Sequence, residues 1–177
     1  GEVAGALGTI DEHGAARLSD AIVRARRVFV SGAGRSGQVA RCLATRLTQL
    51  GLEVHVVGDA TVPKTDRGDL VLLCSGSGRT PTTLAHARQA RRAGATVALI
   101  TARPDSPAAS QADLVACLSA STSDSASAQG NVPHSIQPMG SLFEQALLLY
   151  VDALVIVLAE RLEQSHRQMW ERHTNLE

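Results

Sequence analysis

The chain has 177 residues, 44% apolar and 19% charged, which suits one domain with a sizeable core and argues against a disordered chain. Its 17 Lys and Arg balance its 17 Asp and Glu, so no bulk positive field favours a polyanion. Aromatics are 2% of the chain (Phe29, Phe143, Tyr150, Trp170), too scattered to form a stacking platform for single-stranded nucleic acid.

The predicted elements alternate. Residues 9–26 read as an amphipathic helix with Ile10, Leu18, Ile22 and Val23 on its apolar face, followed by a strand at 27–31. Val39, Leu43, Leu47 and Leu50 recur at helical spacing over 36–50, and Gly51 is a natural stop. A strand at 53–57 is followed by a turn-rich segment from Gly58 to Gly68. The strand 70–74 then leads to a helix over 81–93, with Pro81 in its first turn and Gly94 at its end. A strand at 96–101, a short helix near 106–112 and a strand at 113–118 complete the alternation. Residues 119–137 are Ser/Ala/Gln/Gly/Pro-rich without periodicity and read as a long loop of the kind that often carries function. A long helix is expected over about 140–163 with Ser141 as its cap, and the polar segment 164–177 begins as helix.

Apolar strands alternating with helices imply a doubly wound α/β fold: a five-stranded parallel sheet with helices on both faces. In the flavodoxin-like order 2-1-3-4-5 the switch point lies between the first and third strands. Leu142 to Ala159 is apolar enough to imitate a membrane span, but Glu144 and Asp152 interrupt it, so a core or interface helix is expected. The arginines between Arg24 and Arg27 and between Arg88 and Arg92 read as solvated helix faces. Cys42, Cys74 and Cys117 form no CxxC pair and read as reduced, mostly buried thiols of a cytosolic protein without a signal peptide.

Two Ser/Gly loops stand out, each directly after an apolar strand. The first is Ser31-Gly32-Ala33-Gly34-Arg35-Ser36-Gly37 and the second Ser75-Gly76-Ser77-Gly78-Arg79-Thr80. Glycines such as Gly34 and Gly78 let a backbone approach a ligand closely, and the hydroxyls of Ser36, Ser75, Ser77 and Thr80 can donate to an anionic oxygen. The strand order brings both loops to one crevice, which suggests a phosphate cradle. Gly32, Gly34 and Gly37 also match the dinucleotide pattern G-x-G-x-x-G, with Asp59 near where a ribose-binding acid would stand. That reading leaves the second loop unexplained and ranks below a phosphosugar site. No Gly-Lys-Ser/Thr follows to make a Walker A loop, no G-x-S-x-G surrounds Ser36 or Ser77, and no His or Cys pair has zinc spacing.

The two loops in this context resemble a SIS domain, the sugar isomerase fold. Closer resemblance to the 6-phospho-3-hexuloisomerase family lies in Gly32 to Gly37, the Leu43-Ala44-Thr45-Arg46-Leu47 helix and Val57 to Pro63. It continues in Gln137 to Gln145 and in the ending Arg172-His173-Thr174-Asn175-Leu176-Glu177. It covers essentially the whole chain, as one domain. There are two departures from the family pattern: Arg79 stands where a glutamate is usual, and Asp59-Ala60 replaces Glu-Thr. Arg79 is either a cation beside the phosphate or a surface charge.

The resemblance implies an isomerase acting through an enediolate on a sugar phosphate, with no metal or redox cofactor. Glu144 would be the base and His173 an acid/base or relay group that the tail 164–177 brings to an active site, of its own or of a neighbouring subunit. Arg46 is a further substrate or interface candidate, and His134 in the long loop is a second histidine candidate. A homo-oligomer is expected, a tetramer or dimer. Neither nucleic acid nor membrane is an expected partner. Other readings left open are a non-catalytic phosphosugar sensor and a nicotinamide-binding oxidoreductase.

Overall fold

The computed structural model describes residues 1–122 and 135–176. Part of the expected loop 119–137, including His134, and the terminal Glu177 lie outside the described residues.

The elements run α1 (Glu2–Leu7), α2 (Glu12–Arg24), β1 (Val28–Gly32), α3 (Gly34–Gln49), β2 (Val54–Val56), β3 (Leu70–Cys74) and α4 (Pro81–Arg92). They continue with β4 (Thr96–Thr101), a 3-10 turn (Ala109–Gln111), β5 (Leu114–Cys117), α5 (Ser141–Arg161) and α6 (His166–Glu171). The five strands form one sheet in the order β2-β1-β3-β4-β5, every pair parallel. This is the expected order, with β1 and β3 adjacent at its centre.

Strand alternation divides the core into two layers. Val28, Val30, Leu70, Leu72, Cys74 and Ile100 face α1, α2, α3 and α5. Phe29, Val71, Leu73, Val97 and Leu99 face α4, where Ala87 and Ala90 let the helix lie close. Helices thus cover both faces, unequally. Phe143 of α5 is 1% exposed, a burial of about 2–3 kcal/mol for one side chain.

Three boundaries differ from expectation. The segment read as one helix over 9–26 is α2 alone, capped by Asp11, whose side chain accepts from the His13 N–H. A separate α1 precedes it, and its six residues with a single buried position, Ala6, are too few to display a period. At α5 the cap is Gly140, not Ser141, which is already helical. The expected short helix near 106–112 contracts to one 3-10 turn.

α5 is long and apolar enough, by length and composition, to cross a membrane, yet a stripe from Leu142 through Phe143, Leu147, Val151 and Leu154 to Leu158 is buried in the fold. Its other side keeps Leu149, Ile156 and Val157 exposed.

Candidate active site

Gly32 at the end of β1 lies level with Cys74 at the end of β3, so the two Ser/Gly loops leave the sheet side by side. This is the switch point, where open α/β sheets leave a crevice. A cavity of about 140 Å³ opens there, lined by Ala33, Ser36, Cys74, Ser75, Gly76, Ser77, Thr80, Thr122, Gly140, Phe143 and Glu144.

Local chemistry shapes both loops. Gly34, at φ +56°, starts α3 in a conformation side chains rarely adopt. In the second loop Gly78 has φ +60°, and a Cβ there would fall 2.0 Å from the Ser106 Oγ. The room left by Gly78 is therefore filled by the protein itself. The Gly78 N–H donates to the buried Ser75 Oγ at 3.2 Å, and Ser75 Oγ lies 3.5 Å from Thr80 Oγ1. The Arg79 N–H donates to the Ser77 Oγ at 3.3 Å. Gly76 packs under Phe143, whose ring would lie 2.9 Å from an added Cβ.

Three helices begin at this cavity: α3 behind Ala33, α4 behind Thr80 and α5 behind Gly140. Among the described residues none of the three has a side-chain cap. By contrast, Asp11 caps α2 and Ser165 caps α6 with a full capping box. Uncapped first turns present free N–H groups and the positive end of the helix dipole. With Ser36, Ser75, Ser77 and Thr80 beside them, the cavity is suited to a phosphate. Of the three cysteines expected to be mostly buried, Cys74 alone is; Cys42 lies on the exposed side of α3 and Cys117 is half-buried. Burial pushes the Cys74 thiol up to about 12, so it remains protonated at the cavity floor and offers no thiolate.

Glu144 closes the cavity from the first turn of α5. Its side chain is 17% exposed, and its Oε2 lies 2.6 Å from the Nε of Arg35. The two loops and the carboxylate therefore line one cavity within one chain.

His173 is elsewhere. It lines a larger cavity of about 460 Å³ between α3, the β2 edge and the tail, together with Arg41, His55, Asp59 and Arg172. Its ring stacks on Trp170 with centroids 5.1 Å apart. Arg172 fastens the tail to α3 by donating to the Gln49 carbonyl at 3.1 Å. The two cavities share none of the described residues. Size does not make the larger one better suited to a phosphate: it lacks both loops and all three helix starts. Asp59 is paired there with Arg41 at 2.8 Å, away from the glycine loop that a dinucleotide would need beside it.

Arg46 donates to Gln49 Oε1 at 2.9 Å, and Arg79 is exposed; neither lines either cavity. Sequence reasoning passed over Arg35, although it lies inside the quoted motif, and Thr122, which sits in a segment without periodic signal. Ser31, first in its loop, turns to the other face of the sheet, its Oγ 2.8 Å from the His86 Nδ1.

Fold and cavity define the class: a parallel α/β domain with two Ser/Gly loops and three helix starts converging at its switch point. The SIS domain family matches residues 21–149, which include every residue lining that cavity. A 3-hexulose-6-phosphate isomerase of Mycobacterium gastri is 44% identical over 99% of this chain and 86% of its own length. One of Bacillus subtilis is 40% identical over 95% of this chain and 89% of its own. A solved structure from Methanococcus jannaschii, described as inferring a 3-hexulose-6-phosphate isomerase function, superposes with a TM-score of 0.86 at 30% identity, covering 99% of this chain and 97% of that one. The chain belongs to the SIS domain family and, within it, to the family of these isomerases.

Proposed function

We propose that this protein interconverts a 3-hexulose 6-phosphate and fructose 6-phosphate through an enediolate. The observation that carries the reading is the presence of Glu144 in the same small cavity as the hydroxyls of Ser36, Ser75, Ser77 and Thr80. The phosphate on C6 binds among the hydroxyls and uncapped helix starts, which fixes the sugar and aims its other end at the carboxylate. Glu144 takes the proton from C2. The C–H electron pair becomes the C2–C3 double bond, and the carbonyl pair moves onto O3. Glu144 then returns the proton to C3 while the O2 hydroxyl proton passes to O3, leaving a carbonyl at C2. Atoms and charge balance without an external oxidant.

His173 is the donor that steadies and shuttles the oxygen proton, delivered from the tail of a neighbouring copy. Its separation from Glu144 within one chain supports that assignment. The exposed Leu149, Ile156 and Val157 on α5 supply an apolar face for a homo-oligomer, a tetramer by family resemblance, acting in the cytoplasm.

The test is a coupled assay: 3-hexulose 6-phosphate as substrate, with fructose 6-phosphate detected enzymatically. Turnover that saturates with substrate is expected. Saturable binding without turnover would leave a sugar-phosphate sensor and overturn the reading.

A further inference from the structure

Arg35 lies beside the proposed base, and its position is unfavourable by local helix energetics. It occupies the first turn of α3, where the dipole repels a cation, and no acidic residue shares that turn. Its side chain is 66% exposed, so packing does not hold it there. What holds it is Glu144, brought from the start of α5, with Nε 2.6 Å from Oε2. The helix starts thus face each other across the cavity mouth through one charge pair.

We propose that Arg35 is a positioning residue for the isomerisation. It occupies Oε2 of Glu144 and so presents Oε1 to the sugar carbon. Holding one oxygen restrains rotation of the carboxylate away from the C–H bond, and proton transfer depends steeply on that alignment. When Oε1 takes the C2 proton, the carboxylate charge facing Arg35 is neutralised. Returning the proton to C3 restores the ion pair, so Arg35 favours completion of the transfer over loss of the enediolate. The inference rests on the reading of Glu144 as the base.

The experiment compares the wild-type protein with Arg35→Met, Arg35→Lys and Glu144→Gln in the coupled assay, with thermal unfolding to establish that each variant is folded. Arg35→Met is expected to lower kcat about 10- to 100-fold with KM changed less than about twofold. Added guanidinium ion is expected to restore part of the kcat of Arg35→Met, and Arg35→Lys to fall between Met and wild type. A rise in KM at unchanged kcat would make Arg35 a substrate-anion contact and overturn the inference. So would unchanged values of both, the behaviour of a solvated surface pair. If Glu144→Gln is inactive while Arg35→Met behaves as wild type, only the role of Arg35 fails. If Glu144→Gln keeps its activity, the base assignment fails, and the role of Arg35 with it.

Discussion

Gly32 and Gly37 touch so closely that a Cβ on Gly37 would stand 2.6 Å from the Gly32 carbonyl oxygen. A Cβ on Gly32 would stand 2.9 Å from the Gly37 nitrogen. α3 therefore starts directly over the end of β1, and its uncapped first turn is held against the cavity. Two glycines of the G-x-G-x-x-G pattern serve this strand–helix contact, and the third, Gly34, serves the turn. The pattern is explained by packing and does not need a dinucleotide.

Gly37→Ala is expected to cost about 1–3 kcal/mol, because the backbone it meets cannot swing aside. The shift of α3 moves Arg35 and Ser36 with it, so kcat/KM should fall at least about tenfold. Denaturant melts and the coupled assay together check this; a fully active, equally stable variant would contradict the contact.

The two serines of the second loop have different duties. Ser75 is 4% exposed and accepts from the Gly78 N–H, so Ser75→Ala strands a buried donor and should cost about 1–3 kcal/mol. Ser77 is less buried, and Ser77→Ala should leave stability within about 0.5 kcal/mol while raising KM about tenfold. Melting curves with initial rates for both variants separate scaffold from cradle.

At the opposite end of β1 and β3, Asp69 decides stability rather than activity. Burial alone would raise its pKa, but Arg27, Arg26 and the Asp66 N–H outweigh this and hold it at about 2. A carboxylate depressed in the fold contributes stability that is complete above the unfolded value near 4 and is lost as pH falls through about 2. The contribution is about 1–2 kcal/mol, reduced by the exposure of Arg26. Wild type should lose that much between about pH 4 and 2, and Asp69→Asn should flatten the dependence with kcat unchanged. Urea melts across this range provide the measurement.

A mixing experiment decides whether Glu144 and His173 of one site come from two chains. Glu144→Gln and His173→Ala are each expected to be inactive. Hybrids formed by mixing the two should regain part of the activity, because some sites then draw both intact residues from different subunits. No recovery on subunit exchange would place both residues in one chain.

Much of this fold was legible because its signals are local. Apolar runs such as Leu70 to Cys74 and the spacing of Val39, Leu43 and Leu47 carry their period over enough residues to be read, and the crossover lengths imply parallel pairing. The meeting of the two loops followed from the same logic, since strand order places both at one switch point. α1 was not legible, having one buried residue in six. Nor was the cap of α5, where chain geometry at Gly140 prevailed over the side-chain preference of Ser141.

The chain by itself determined the sheet, its order and the two Ser/Gly loops, because hydrophobic period and glycine freedom act between near neighbours. Only the tertiary structure decided that Arg35 meets Glu144, that three helices begin uncapped at one cavity, and that His173 stands in another. Those relations join residues far apart in sequence. They follow from how α3, α4 and α5 pack on the sheet, which no local pattern encodes.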